Sequence, residues 1–249
     1  MDPAYAAVHA EEDRAHWWFV GRRAVILAEM ARRLSGDRLR RAGDRVRLAE
    51  LGCGSGGMLQ AIGRFGTAVG VETDRALRER ARERGLDVRA GALPDAIPLE
   101  PARWDVVCLF DVLEHLDDEA GALAGCRRLL APRGRLFVTV PAYAWLWSRH
   151  DELLGHRRRY TTRSLRQVVE RAGFTVERLT YFNTLLAPPI MAVRLVRAAL
   201  RSPGHDLDRP TPLVNRVLAA CFSAEARLLG WTSVPFGISI LLAAGRPDS

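Results

Sequence analysis

A carboxylate stands directly in front of a glycine-rich turn in the first half of the sequence. Residues 50–57 read ELGCGSGG, after an apolar segment typical of a strand and before a helical pattern. Glycine at alternate positions allows left-handed backbone conformations and lets a ligand approach the main chain without a Cβ in the way. The pattern predicts a cofactor-binding turn built from Gly52, Cys53, Gly54 and Gly56, with Glu50 beside it.

Two kinds of cofactor are compatible with this turn. Gly52, Gly54 and Gly57 satisfy the dinucleotide fingerprint, in which a pyrophosphate binds at a helix N-terminus. Glu50, however, would lie at the carboxyl end of its strand, where it repels a pyrophosphate and attracts an ammonium group. The methionyl end of S-adenosylmethionine carries such a group. We therefore predict S-adenosylmethionine as the cofactor and keep an NAD-dependent oxidoreductase as the alternative.

A second carboxylate fits a nucleoside. Glu72 closes the second predicted strand, 20 residues after Gly52, and can accept hydrogen bonds from both ribose hydroxyls. Thr73 follows it and belongs to the same predicted contact. Because NAD and S-adenosylmethionine both need this contact, Glu72 supports nucleoside binding without separating the two cofactors.

The elements that must position these residues alternate along the chain. Strands are predicted over 46–51, 68–72, 88–90, 104–110, 135–140, 174–182 and 238–244, with helices after Gly56, Asp74, Asp117 and Thr161. The last three of these residues are suitable N-caps. Such alternation predicts an α/β fold with a mostly parallel sheet and helices on both faces.

The chain is long enough for one α/β domain with additions, so we predict a single domain over residues 1–249. Its segments are an N-terminal helical cap at 1–43, a cofactor-binding core at 44–183, a helical insertion at 184–236, and a final strand and tail at 237–249. The cap contains a helix over 9–34 and a polar connector over 36–43. A prolyl, polar break over 202–212 divides the insertion.

Composition narrows the class of partner and the compartment. The 37 basic residues are all arginine, exceed the 29 acidic ones by eight, and are spread widely along the chain. This spread favours a solvated surface, with nucleic acid or an anionic membrane as the alternative. The four cysteines form no C-x-x-C pair, the first twenty residues do not resemble a secretion signal, and no membrane span is predicted. These features predict a cytoplasmic location.

The segment that ends the fourth predicted strand is the most specific motif. Residues 110–116 read FDVLEHL, and Trp104 and Asp105 stand upstream. Together with the ELGCGSGG turn, this combination resembles the class I S-adenosylmethionine-dependent methyltransferases, and among them the small-molecule enzymes related to ubiquinone and menaquinone methylases. The resemblance covers residues 49–140, and segments 16–23 and 155–160 also match some members. It implies a Rossmann-like sheet of seven strands.

The resemblance also implies roles for individual residues. Glu50 and the main chain around Gly52 and Gly54 would hold the methionine moiety, Glu72 the ribose, and Leu93 with its neighbours the adenine. Further cofactor contacts are expected from Cys53, Gly56, Thr73, Ala92, Asp111 and Val112.

The third predicted strand departs from the family pattern. Many relatives have an aspartate after the glycine of its loop, whereas Gly91 is followed here by Ala92. Adenine recognition would then depend on backbone groups and apolar packing, with Asp95 as a substitute acceptor.

Three residues are candidates for the chemical step. His115 is the first candidate for a general base, because an imidazole titrates near neutral pH and this one would face the cofactor's methyl group. The alternative is that His115 only packs or orients its loop. His156 and Tyr160, in the aromatic and basic loop at 141–160, are further proton acceptors or substrate contacts.

No metal site is predicted. Asp111, Glu114 and His115 offer suitable ligand types. Glu114 and His115 are adjacent, however, and adjacent residues on a regular element do not easily face one ion.

Two flanking segments carry open alternatives. Residues 16–19, HWWF, form either an aromatic lid over the sulfonium or plain core packing, and Arg22 or Arg23 could pair with the cofactor's carboxylate. The arginines at 157–159 either bind a phosphate or carboxylate of the acceptor or form a solvated surface.

The insertion carries a basic amphipathic pattern, in which Val193, Val196 and Leu200 lie opposite Arg194, Arg197 and Arg201. The pattern suits an anionic membrane surface or a cap over the sheet. The first reading predicts a lipid-linked or amphipathic acceptor and peripheral membrane contact.

The predicted reaction is in-line transfer of a methyl group from S-adenosylmethionine to a small or lipid-like acceptor. Oxygen is the first choice of acceptor atom, and a carbon of a quinone-like ring is the alternative. Nucleic-acid bases are disfavoured because the sequence lacks an Asn-Pro-Pro-Tyr loop and a Pro-Cys nucleophile. A noncatalytic, membrane-associated nucleoside-binding protein is the third class. The oligomeric state is not predicted.

Overall fold

The computed structural model describes residues 12–13, 15–35, 45–200 and 210–247, with the backbone alone for 194–200. The predicted connector at 36–43, most of the polar break at 202–212 and the first residues of the predicted N-terminal helix lie outside this range. So do the side chains on which the basic amphipathic prediction depends, beyond Val193.

The described residues form one seven-stranded sheet, as predicted. The strands are β1 Val46–Leu51, β2 Gly66–Glu72, β3 Val88–Ala90, β4 Trp104–Phe110, β5 Leu130–Pro141, β6 Thr175–Phe182 and β7 Ser239–Gly245. Their order across the sheet is β3-β2-β1-β4-β5-β7-β6. β7 is antiparallel to β5 and β6, and the remaining neighbours are parallel. The Rossmann-like, mostly parallel sheet is therefore confirmed.

The central strands are apolar on both faces, as parallel strands between two helical layers must be. In β1 every residue except Arg47 is buried, and in β4 every residue except Asp105. Glu50 lies opposite Gly70 of β2 and Cys108 of β4. The strand order reverses at β1, and sheets of this kind bind ligands at the carboxyl ends of the strands that flank such a point.

The helices predicted after Gly56, Asp74, Asp117 and Thr161 begin close to those residues, whereas the N-terminal helix predicted over 9–34 begins at Trp17. The described helices are α1 Trp17–Leu34, α2 Gly57–Ile62, α3 Arg75–Glu83, α4 Glu119–Leu129, α5 Arg149–Leu154, α6 Thr162–Arg171, α7 Ala187–Leu200 and α8 Pro212–Trp231. Asp74 and Thr161 cap α3 and α6 as predicted. The prediction of Asp117 as the cap of α4 is wrong: Asp118 accepts the Gly121 N–H at 2.8 Å, while Asp117 pairs with Arg157.

β5 begins five residues before its predicted start, because an irregularity within the strand interrupts the sequence pattern from which the start was predicted. Arg133 adopts a φ of 63° within the strand, and the pairing register with β4 shifts between Trp104 and Val106. The period-two alternation on which the prediction depends is broken at that point.

The N-terminal helix α1 packs against the inserted helix α8. Gly21 in α1 lies against the ring of Phe222 in α8, where a Cβ would approach to 2.3 Å. The Trp17 N–H donates to Asn215 Oδ1 at 2.9 Å, and Phe222 stacks on Phe182 of β6. The helical cap is therefore packed into the core through α8. Among the described helices, none has the length and apolar character needed to cross a bilayer.

Candidate active site

A cavity of about 870 Å³ lies at the carboxyl ends of β1, β2 and β4. Most of the predicted site residues line it: Glu50, Gly52, Cys53, Gly54, Glu72, Thr73, Ala92, Leu93, Asp111, Val112, His115 and His156. Gly56 and Tyr160 are not part of the lining. Helices α1, α7 and α8 contribute apolar walls, which include Trp17, Ile190 and Leu218.

The glycine turn is shaped by backbone demands. Gly52 has a φ of 75° and Gly54 a φ of 56°. A Cβ on Gly52 would come within 2.6 Å of the Val112 side chain, whereas a Cβ on Gly54 would meet nothing within 4 Å. The Gly52 N–H donates to the Val71 carbonyl at 2.7 Å, which fixes the turn on β2. The main chain at Gly54 therefore faces open space that a ligand can enter.

Glu50 is a buried carboxylate with an unused acceptor. Its residue is 2% exposed, and Oε2 has no hydrogen-bond partner among the described residues. Burial raises the pKa of Glu50 well above its ordinary value, although the positive charge of Arg22 opposes the shift. A ligand that brings an ammonium group would satisfy this oxygen and favour its ionised form.

Glu72 organises the turn as well as facing the cavity. One carboxylate oxygen accepts the Gly54 N–H at 2.8 Å, and the other accepts the Asp74 N–H at 2.9 Å and the Thr73 hydroxyl at 3.2 Å. Because each carboxylate oxygen has two acceptor positions, capacity remains for a ribose hydroxyl.

Arg22 crosses the cavity wall and pairs with Asp111. The Arg22 Nη2 to Asp111 Oδ2 distance is 2.5 Å, and the guanidinium lies over the Trp18 ring, 5.2 Å from its centroid. Asp111 has a φ of 57° and accepts the Thr139 hydroxyl at 3.1 Å. Arg23, the other predicted partner of the cofactor's carboxylate, donates to the Asp13 carbonyl instead.

The adenine side of the cavity is apolar. Leu77, Gly91, Ala92 and Leu93 contribute to its lining. Both backbone groups of Ala92 are bonded to Ala96 at 2.9 Å, so they are already used. Asp95 is exposed and outside the lining.

Glu114, His115 and His156 form a compact cluster on the opposite wall. One ligand-type atom from each lies within 4.8 Å of the others. Leu113–His115 is a tight 3-10 turn rather than a regular strand or α-helix, so the adjacent Glu114 and His115 can reach the same point. Burial, with the neighbouring His156, lowers the pKa of His115 to about 4. Its imidazole is neutral at pH 7.

Asp151 fixes the orientation of His156. The Asp151 Oδ1 to His156 Nδ1 distance is 2.8 Å, and Arg159 donates to both carboxylate oxygens at 2.7 and 2.9 Å. Burial acts to raise the pKa of Asp151, but these hydrogen bonds and the Arg159 charge outweigh it and hold the pKa well below its usual range. An ionised carboxylate only accepts, so Nδ1 of His156 carries the proton and Nε2 is left as an acceptor.

Tyr160 lies away from the cavity. Its hydroxyl donates to Glu119 Oε2 at 2.5 Å, and burial together with this bond raises the pKa of Tyr160. In the arginine run, Arg157 and Arg158 pair with surface acids, and Arg159 alone of the three lines the cavity.

A family model for the methyltransferase domain matches residues 22–179, which include the turn, both strand-end carboxylates and the histidine cluster. The chain belongs to the class I S-adenosylmethionine-dependent methyltransferases. S-adenosylmethionine is accordingly the cofactor, as the position of Glu50 predicted.

The relatives of this methyltransferase align with it over only part of their length. A protein of Mycolicibacterium smegmatis named as an S-adenosylmethionine-dependent methyltransferase is 34% identical over 68% of this chain and 62% of its own. A ubiquinone biosynthesis O-methyltransferase of Xylella fastidiosa is 35% identical over 38% of this chain and 42% of its own. The chain thus spans less than two thirds of either relative.

Solved structures confirm the fold of the methyltransferase. A chain from the complex between a Haloferax volcanii methyltransferase and its activator superposes with a TM-score of 0.63 at 19% identity, covering 99% of this chain and 96% of that one. An S-adenosylmethionine-dependent methyltransferase of Archaeoglobus fulgidus gives a TM-score of 0.57 at 16% identity, with coverage of 89% and 94%.

The sequence analysis did not identify two acidic residues in or near the methyltransferase's cavity. Asp13 lines the cavity, 3.5 Å from the Ser55 hydroxyl, and no local pattern points to this long-range contact. Asp151 stands five residues before His156 and eight before Arg159. The spacing of these three residues, around a short helix that ends at a glycine, is a sequence signal that could have identified Asp151.

Proposed function

We propose that this methyltransferase moves the methyl group of S-adenosylmethionine to a hydroxyl of a small, largely apolar acceptor. The observation that carries the proposal is the single cavity, which joins the cofactor turn and Glu50 to the cluster of Glu114, His115 and His156. The acceptor oxygen attacks the methyl carbon, the carbon–sulfur bond breaks, and its electron pair stays on the sulfur of S-adenosylhomocysteine. The acceptor's proton leaves towards the histidine cluster.

The cofactor fits the polar half of the lining. Glu50 would receive the ammonium group, the open main chain at Gly54 would approach the methionine moiety, and Glu72 would accept from the ribose. Leu77 and Leu93 would pack against the adenine. Arg22 would supply a positive charge for the cofactor's carboxylate.

Between the two histidines, geometry favours His156 as the proton acceptor. Asp151 holds its Nδ1, so Nε2 is available and oriented. His115 has a pKa of about 4, which makes it a weak base at neutral pH, and its ring lies 4.7 Å from that of His156. We assign His115 to orienting this pair and filling the wall, and Tyr160 to supporting α4 through Glu119.

The acceptor class follows from the other walls. Leu186, Ile190, Val193 and Leu218 line the cavity opposite the cofactor turn. These side chains suit an aromatic ring or an alkyl chain rather than a charged acceptor. The O-methyltransferase activity named for the Xylella relative supports oxygen as the acceptor atom. Methylation of a quinone-like ring carbon fits the same walls and is distinguished by the product.

An exposed apolar face extends from this wall to the surface. Leu213, Val214 and Val217 are 65%, 46% and 59% exposed, and Val214 lies one helical turn before Leu218 of the cavity. With a formal charge of +8, the protein would be attracted to an anionic leaflet. We propose that this face rests on the membrane and that the acceptor enters from there.

Two measurements test the reaction class. Calorimetry should show binding of S-adenosylhomocysteine and none of NADH; the opposite pattern would reject the proposal. Incubation with S-adenosylmethionine that carries a labelled methyl group should then label the lipid fraction of a cell extract more than the aqueous fraction. Mass analysis of the labelled product decides between an oxygen and a carbon acceptor.

A further inference from the structure

The cluster of Glu114, His115 and His156 has the composition of a metal site. Imidazole nitrogen and carboxylate oxygen are the ligands of mononuclear catalytic zinc and related divalent ions, which take three protein ligands and leave a position open. The three ligand-type atoms lie within 4.8 Å of one another. In a tetrahedral zinc site the ligand atoms are about 3.4 Å apart, so a shift of roughly 1 Å closes the cluster around an ion.

Glu114 is the independent sign that a ligand belongs here. It is 0% exposed, and neither carboxylate oxygen has a hydrogen-bond partner among the described residues. His156 Nε2 lies 4.0 Å from Glu114 Oε1, too far for a hydrogen bond. A buried carboxylate without donors is costly unless it binds a cation or is protonated.

His156 is held as metal-binding histidines are. His156 donates its Nδ1–H to Asp151, and the His115 ring packs edge-on against the His156 ring, with 4.7 Å between their centroids. A carboxylate or backbone carbonyl in this position fixes the tautomer and leaves the second ring nitrogen for the ion. Arg159 in turn holds Asp151 in place from the far side.

We propose that Glu114, His115 and His156 bind one divalent transition-metal ion, with zinc as the best match, at the acceptor end of the cavity. Bound there, the ion would act as a Lewis acid beside the acceptor hydroxyl and lower its pKa. This rests on the proposed function and deepens it: with the ion bound, His156 Nε2 would be a ligand rather than the proton acceptor, and the proton of the more acidic acceptor hydroxyl would pass to water. Metal binding itself does not depend on methyl transfer.

The test uses Co²⁺ alone as a spectroscopic probe for the zinc site. The full-length protein, treated with a chelator and dialysed, should bind one equivalent of Co²⁺ with a visible absorption band typical of a four- or five-coordinate ion. Zn²⁺ should displace it. S-adenosylhomocysteine affinity is measured on the same samples, so failure of the metal site and failure of the cofactor site are seen separately.

Variants locate the ion. Glu114→Gln keeps the shape of the buried side chain and should weaken Co²⁺ binding at least about 10-fold while the protein stays folded and binds S-adenosylhomocysteine; His156→Gln should do the same. Asp151→Asn should weaken binding about 10- to 100-fold through His156. Cys221→Ser, which removes a half-buried thiol outside the cavity lining, is the control that should leave the affinity unchanged.

Two results would overturn the proposal. One is the absence of any saturable Co²⁺ band in the chelator-treated protein. The other is a band of equal affinity in Glu114→Gln and His156→Gln, which would place the ion elsewhere and leave Glu114 as a protonated carboxylic acid.

Discussion

Glu50 shows how one residue can oppose stability and serve binding. Its carboxylate is buried on the central strand with an oxygen that no described donor reaches, and a charged group in that state destabilises the apoprotein. A cofactor ammonium would relieve the defect. The same reasoning applies to Glu114, whose two oxygens also lack partners in the described structure. Unsatisfied carboxylates in a cavity are therefore the most informative residues of this chain.

Glu50→Gln should stabilise the apoprotein at neutral pH. The folded-state pKa of Glu50 is raised, so above pH 4.5 the unfolded chain ionises while the folded protein resists. The wild type thus loses stability as the pH rises from about 4.5 through the folded pKa, and the variant does not. Urea unfolding at pH 5 and pH 8 should show a gain for the variant of at least about 1 kcal/mol at pH 8 and less at pH 5. Equal stabilities at both values would contradict the account.

His156 and Tyr160 should separate in their effects on turnover. His156→Gln should lower kcat at least about 100-fold with little change in cofactor affinity, because it removes the oriented nitrogen at the reacting end of the cavity. Tyr160→Phe should keep kcat within about twofold and lower stability by about 1 kcal/mol, since the bonds to Glu119 and to the Leu113 carbonyl are lost outside the cavity lining. A loss of turnover in Tyr160→Phe without a change in stability would show that Tyr160 takes part in the reaction.

At the scale of elements, α1 and α8 act as one unit. Their contact depends on Gly21, which leaves room for the Phe222 ring, and on the Asn215 side chain, which accepts from the start of α1 and donates to the Ala15 carbonyl. Because α1 carries Trp17, Trp18 and Arg22 into the cavity lining, the position of this helix sets one wall of the site.

Gly21→Val should therefore destabilise the protein and weaken cofactor binding together. The new side chain would overlap Phe222, which is buried and cannot move away, and overpacking of this kind costs about 1–3 kcal/mol. Gly63→Ala is the matched control, because a Cβ there meets nothing within 4 Å. Thermal unfolding and S-adenosylhomocysteine calorimetry measure both effects. A Gly21→Val protein as stable as the control would show that the contact is not a constraint.

Features that depend on local sequence pattern could be predicted from the sequence. Features that depend on contacts between distant residues could not. Glu50, the glycine turn and Glu72 were predicted because strand-end position and spacing are local properties, and the seven strands were predicted from alternation. The Asp13 contact with Ser55 joins residues 42 apart, and the cluster of Glu114 with His156 forms only when the loop after β5 folds back on the turn after β4. No periodicity encodes such a meeting.

At the scale of the whole molecule, one cavity is lined both by polar groups of the sheet edge and by apolar side chains of the inserted helices. The sheet edge supplies the carboxylates and histidines, and the inserted helices supply the apolar wall and the exposed face of Leu213, Val214 and Val217. A positively charged protein with such a face is suited to collect an apolar acceptor from an anionic surface.

Vesicle sedimentation tests this arrangement. The protein should sediment with vesicles of phosphatidylglycerol and phosphatidylcholine at low salt, less at high salt, and not with phosphatidylcholine alone. Replacing Leu213, Val214 and Val217 by glutamine should lower the bound fraction several-fold. Trp147→Gln, at a half-exposed tryptophan in the loop after β5 and away from α8, should not. Equal vesicle binding by the triple variant and this control would show that the exposed face does not contact the membrane.

The most direct test of the central claim is calorimetry of S-adenosylhomocysteine with the wild type, with Glu50→Gln and with Glu100→Gln as an exposed control. S-adenosylhomocysteine carries the same ammonium group as the cofactor, and loss of a charge-assisted hydrogen bond costs about 1.5–3 kcal/mol. Glu50→Gln should bind S-adenosylhomocysteine about 10- to 100-fold more weakly than the wild type, and Glu100→Gln should match the wild type. Unchanged affinity in Glu50→Gln would contradict the central claim.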